Sequence, residues 1–178
     1  MAQIRLQLVE AGGLFSRAIG RFGGGGWAPE YSHVDCVTSS GALVGARDDV
    51  LNGVPAGVQI RHQNYELWVR RDVYTLSVTD EQEKAWDLAV YSGIGAKYDE
   101  DAILSYVFGR RWHRNGDFIC SAYATTRLQI VGLVPKELDF EPQGWSPNGV
   151  AYGLAYLGAT VQRNPNASPQ APNASPQA

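Results

Sequence analysis

A cysteine that opens a helix, preceded far upstream by a histidine inside a strand, is the feature that most narrows what this chain can fold into. The cysteine closes the run Asp117-Phe118-Ile119-Cys120 and begins Cys120-Ser121-Ala122-Tyr123. The histidine sits in Tyr31-Ser32-His33-Val34-Asp35. A thiol is a useful nucleophile only as thiolate, and a helix N-terminus and a nearby imidazole both favour that form. The order, base before nucleophile, calls for a fold in which the start of a late helix meets an early strand.

The periodicities around these two residues suit such a fold. Ile4, Leu6 and Leu8 alternate with polar residues and predict a half-buried strand. Leu14 to Phe22 reads as a short helix with Leu14, Ala18, Ile19 and Phe22 on one face, ended by Gly23 to Gly26. That glycine run is followed by no P-loop lysine or Ser/Thr, so it reads as a flexible loop rather than a phosphate cradle. Tyr31 to Thr38 and Ala42 to Ala46 predict a hairpin that turns at Ser39-Ser40-Gly41. Gly57 to Arg61 and the Val-, Trp-, Tyr- and Thr-rich stretch Leu67 to Val78 predict two further strands.

Helical signals follow. Thr79, with Gln82 three residues on, forms a capping-box pattern. Ala85, Trp86, Ala89 and Val90 supply that helix with an apolar face, and Gly93 and Gly95 end it. A short helix is expected over Asp101 to Phe108, and another over Cys120 to Val131, stopped by Gly132 and Pro135. Ser146-Pro147 reads as an N-cap with a first-turn proline, opening a last helix to about Leu157.

The chain has 178 residues, 44% of them hydrophobic and 19% charged, a composition for a folded domain with a sizeable core. The expected domain covers residues 1–160. Residues 161–178 read as a tail, in which Pro-Asn-Ala-Ser-Pro-Gln-Ala occurs twice and has no apolar face to bury. The net charge of −3 argues against a nucleic-acid surface, and Arg110-Arg111-Trp112-His113-Arg114 reads as a solvated loop. Cys36 and Cys120 are the two cysteines, too few for a disulfide scaffold, and reduced thiols are expected. The N-terminus lacks a signal-peptide pattern and no apolar run of about 18 residues occurs, so the expectation is a cytoplasmic product without an integral membrane segment. Incorporation in a virion or release by lysis leaves no mark in a sequence.

Strand alternation puts Tyr31, His33 and Asp35 on one face and Ser32, Val34 and Cys36 on the other. Cys36 is thereby no partner for His33, and no Cys/His spacing resembles a zinc site, so no metal is expected. A helix starting at Cys120 points free backbone N–H groups at the sulfur, where they also serve an oxyanion. Trp27, Tyr31, Trp68 and Trp112 are aromatics suited to a groove or a core.

In order, Tyr-Ser-His-Val-Asp, Gly-Ala-Leu-Val-Gly-Ala-Arg, Gly-Val-Gln-Ile-Arg, Gly-Ala-Lys-Tyr-Asp, Phe-Ile-Cys-Ser and Trp-Ser-Pro resemble the circularly permuted papain-fold amidases. These are the YiiX/YaeF-like relatives of NlpC-type cell-wall peptidases, and lecithin:retinol acyltransferase shares the permuted order. The resemblance runs from about Ile4 to Leu157, with a flavour of small phage and prophage proteins. It implies an α+β fold in which a small antiparallel sheet packs against the Cys120 helix. It implies Cys120 as nucleophile, His33 as general base, Tyr98 as a substrate-binding residue, and no cofactor. The implied reaction is cleavage of an amide, in bacterial cell-wall peptides or another peptide-like or acyl substrate, through a cysteine thioester.

Two departures from the family pattern stand out. Ala122 stands where the family often has Glu, and Gly45-Ala46 falls where the family places the residue that orients the imidazole. Asp48, just beyond, is the first candidate for that role, with Asp35 and Gln59 behind it. The missing third residue keeps two other functions open: a non-catalytic binding or structural module, virion-associated, and a lipid-directed acyltransferase or hydrolase.

Overall fold

The computed structural model describes residues 1–11, 31–50, 53–63, 65, 68–102, 116–135 and 145–164. The predicted helix at 14–22, the glycine run, Trp27, the basic cluster around Trp112 and the repeated tail lie outside them. The described residues form an α+β arrangement. Strands β1 (Ala2–Ala11), β2 (His33–Val37), β3 (Leu43–Arg47), β4 (Gly57–Arg61) and β5 (Trp68–Val78) are followed by helices α1 (Asp80–Tyr91), α2 (Cys120–Ile130) and α3 (Pro147–Tyr156) and by strand β6 (Thr160–Asn164).

All six strands join one antiparallel sheet in the order β4-β3-β2-β1-β5-β6. The β2–β3 hairpin turns where expected, with Gly41 at φ 84°, a left-handed conformation that suits glycine. β1 is a central strand, and this corrects the half-buried reading: Leu6, Gln7, Leu8 and Val9 are all buried, so both faces are covered here. β6 pairs with β5 from Thr160↔Thr75 to Asn164↔Arg71, which carries the sheet four residues past the expected boundary at 160.

One face of the sheet presents Ile4, Leu6, Leu8, Val34, Cys36, Val44, Tyr74 and Leu76. These share a single core with Trp86, Val90, Tyr123, Leu128, Val150 and Leu154 from the three helices. α2 is the innermost helix, with Cys120 to Thr125, Arg127 and Leu128 all buried, and it packs on β2 and β3. Its small residues, Ser121, Ala122, Ala124 and Thr125, suit a helix that must be approached from several sides. α1 starts at the predicted capping box, with Thr79 Oγ1 accepting from Gln82 N at 3.2 Å and Thr79 N donating to Gln82 Oε1 at 3.1 Å. α3 starts at Ser146, whose Oγ accepts from Gly149 N at 3.1 Å.

Two side-chain bonds tie α1 into this assembly. Trp86 Nε1 donates to the Val37 carbonyl at 3.0 Å, and Tyr123 Oη on α2 donates to the Val90 carbonyl. Trp86→Phe keeps the ring's bulk but strands a buried carbonyl. We expect it to lower unfolding free energy by about 1–3 kcal/mol, read from urea unfolding, with no change of fold by circular dichroism.

Candidate active site

Cys120 is the first residue of α2, and Ile119 before it is the N-cap. No side chain caps this helix, in contrast to α1 and α3, so side chains leave its first-turn N–H groups uncommitted. The entering chain is fixed by its backbone. Phe118 N donates to Lys97 O at 2.9 Å and Asp99 N donates to Phe118 O at 3.1 Å, which sets Tyr98 beside Phe118 as a parallel bridge. Tyr98 is half-buried and packs against the core at the approach to Cys120. Asp99 is fully buried, and its Oδ1 accepts from Ala102 N at 3.0 Å, capping the helical turn at 100–102. The rest of the helix predicted to Phe108 lies outside the described residues.

His33 is the first residue of β2, on the sheet face opposite the main core and in line with Val9 on β1. It and Cys120 each retain 7% exposure. Each stands at the start of its element, His33 at the start of β2 and Cys120 at the start of α2, and a charge interaction with Cys120 favours the imidazolium of His33. Both Cys36 and Cys120 are free thiols. Burial pushes the Cys36 thiol far up, and the Asp35 carboxylate adds to that, so Cys36 is an inert core thiol.

The carboxylate that holds His33 is Asp35. The Nε2–H of His33 donates to Asp35 Oδ1 at 2.8 Å, and Tyr65 Oη donates to Asp35 Oδ2 at 2.9 Å. Asp35 is 1% exposed. Burial alone raises its pKa, but the His33 charge and hydrogen bond, with Arg47 and Tyr65, hold it below the ordinary carboxylate value. Burial likewise pulls the His33 pKa down, as does Arg47, but the Asp35 carboxylate, a charge interaction with Cys120 and the hydrogen bond outweigh them and carry it up to about 9. A carboxylate acceptor fixes a proton on Nε2 and leaves Nδ1 as the nitrogen that gains and loses the titrating proton.

Asp48, the first candidate for this role, is exposed on the loop after β3, and the carboxylate bonded to His33 is that of Asp35. Gln59 is committed elsewhere: its Nε2 donates to the Asp49 and Pro55 carbonyls at 3.1 and 2.6 Å, and its Oε1 accepts from Arg61 Nε at 3.1 Å. Tyr31 and Trp68 are buried in the core rather than lining a groove. Tyr31 Oη donates to Asp72 Oδ2 at 2.5 Å, and Trp68 stacks edge-on with Tyr65.

The sequence reading missed two contributors, Tyr65 and Arg47, and a buried neighbour, Gln7. Tyr65 and Arg47 come from a loop and a strand end, and neither carries a local signal for contact with Asp35. Gln7 faces Asp35 directly across the β1–β2 pair, is fully buried, and has neither side-chain polar atom bonded. In sequence it sits at a polar position of an alternating strand and reads as solvent-facing. Among the described residues no group of three His, Cys, Asp or Glu side chains converges as a metal site requires, and no helix is long and apolar enough to cross a membrane.

In comparison with known proteins, the chain matches no family model, and no curated protein matches it in sequence.

The buried pair makes stability depend on pH. His33 is raised from 6.5 to about 9, so its contribution is complete below pH 6.5 and is lost as pH rises through about 9. Asp35 is lowered, so its contribution is complete above about pH 4 and is lost as pH falls further. We expect unfolding free energy to fall between pH 6.5 and 9.5 by up to about 3 kcal/mol, and His33→Gln to flatten most of that slope, measured by urea unfolding at each pH.

Proposed function

We propose that this protein is a cysteine hydrolase that cleaves an amide by acyl transfer, with Cys120 as nucleophile and His33 as general base. The observation that carries the reading is the pairing of an uncapped helix start at Cys120 with a buried imidazole whose far nitrogen is fixed by Asp35. His33 holds on Nδ1 the proton taken from the thiol, an ion pair that its raised pKa favours, and the thiolate attacks the carbonyl carbon. First-turn N–H groups of α2 stabilise the oxyanion. The C–N bond breaks, and the amine leaves with the proton from His33. Water, deprotonated in turn by His33, opens the thioester and releases the acid and the free thiol. Every atom and proton is accounted for without a metal or organic cofactor.

The resemblance in motif order extends this reading to a permuted papain-like fold and to peptide amides of the bacterial cell wall. It rests on the motifs themselves. Tyr98, held beside Phe118 at the entry to α2, is the residue this reading assigns to substrate contact. One observation favours the rival reading of a binding or structural module: Cys120 and His33 are both 93% covered, which restricts access to the nucleophile.

Alkylation separates the two. We expect iodoacetamide to modify Cys120 alone at pH 6.5, with Cys36 untouched, and the rate to fall about 10-fold or more in His33→Ala. A Cys120 that alkylates slowly and ignores His33→Ala refutes the hydrolase and supports the module. Cys120→Ala is expected to abolish turnover of any peptide amide that the wild type cleaves.

A further inference from the structure

We infer that Asp35 is the positioning residue for His33, and that its carboxylate reaches the imidazole through space left vacant by Gly45 on the neighbouring strand. A Cβ placed on Gly45 falls 2.1 Å from Asp35 Oδ1 and 3.2 Å from its Cγ. No real Cβ tolerates that approach, so any other residue at 45 displaces the carboxylate. Positions 35 and 45 thus compete for one volume beside His33, and a carboxylate enters that volume from one strand or the other. In this chain it comes from the histidine's own strand, two residues on, and the neighbouring strand gives way.

The surroundings show that the carboxylate is fixed rather than merely accommodated. Oδ1 takes the His33 Nε2–H and Oδ2 takes the Tyr65 hydroxyl. Arg47 Nη1 in turn donates to Tyr65 Oη at 3.0 Å, and the Arg47 guanidinium lies 4.9 Å from the Tyr65 ring centre. A polar row therefore crosses four strands: Gln7 on β1, Asp35 on β2, the vacancy at Gly45 on β3, and Gln59 on β4. Gln59 is held by its own strand and loop, so Asp35 alone in this row engages the imidazole. Among the described residues, the charged and titratable groups around His33 are Asp35, Arg47 and Cys120, with Tyr65 beyond the carboxylate. Of these, the Asp35 carboxylate and the charge interaction with Cys120 favour the imidazolium, and Asp35 also holds the ring by a hydrogen bond. The inference rests on the hydrolase reading for its catalytic meaning; the linkage of positions 33, 35 and 45 stands on geometry.

The test combines imidazole titration by long-range ¹H–¹⁵N NMR, which resolves the chain's three histidines, with the pH profile of Cys120 alkylation. The variants are Asp35→Asn, Gly45→Ala, and the relocation pair Asp35→Ser with Gly45→Asp. In Asp35→Asn we expect the His33 midpoint to fall by about two pH units or more and neutral-pH alkylation to slow about 10-fold. The relocation pair is expected to restore most of both, because Asp at 45 places its carboxylate where that of Asp35 lay. A folded Asp35→Asn with unchanged His33 titration, or a relocation pair no better than Asp35→Asn, overturns the inference. Should Asp35→Asn fail to fold, Gly45→Ala decides: its Cβ displaces the Asp35 carboxylate, the His33 midpoint is expected to fall, and an unmoved midpoint overturns the inference. If wild-type alkylation ignores His33→Ala while the His33 midpoint still follows Asp35, the hydrolase reading falls and the linkage of 33, 35 and 45 stands.

Discussion

The buried contact between His33 and Asp35, 2.8 Å long, is the interaction on which the rest of the arrangement depends. Taking two charges out of water is expensive, and their attraction offsets that only with close geometry and further hydrogen bonds. Both conditions are met, with Tyr65 completing the carboxylate and Gly45 leaving it room. Removing one partner of such a pair leaves an uncompensated buried charge, typically about 3–5 kcal/mol of destabilisation. The same contact that burdens folding gives the imidazole one orientation and one committed nitrogen.

The helices divide along the same line. α1 and α3 begin with side-chain caps, Thr79 with Gln82 and Ser146, which satisfy their leading N–H groups. α2, the most enclosed helix, begins at Ile119 with no side-chain cap. A cap there contributes about 1 kcal/mol in an ordinary helix, so its lack works against stability. The cost is consistent with a helix start kept open for an anion. Trp86 and Tyr123 stabilise the helix layer independently of that end, through bonds to the Val37 and Val90 carbonyls.

What was legible in the sequence was local chemistry. The Thr79 capping box, the Ser146-Pro147 helix start, the strand at Gly57–Arg61 and the helix start at Cys120 each rest on residues within a few positions of one another. What was not legible depends on strand neighbours. β6 carries no strong alternation and exists through its pairing with β5, so it read as the start of the tail. β1 has a polar face in sequence, yet that face is covered, which hid Gln7. Asp48 outranked Asp35 because Gly45 looked like a missing functional group. In three dimensions the same glycine is the opening that admits Asp35, a fact that only the β2–β3 contact reveals.

The most direct test of the account is acyl transfer from a simple activated ester. Incubated with p-nitrophenyl acetate at pH 7 and followed by intact-protein and peptide mass spectrometry, the wild type is predicted to gain one acetyl group, on Cys120, that turns over, and His33→Ala to gain almost none. Acetylation confined to lysines or to Cys36, or equal labelling of Cys120 with and without His33, would contradict the claim that these two residues form a nucleophile and its base.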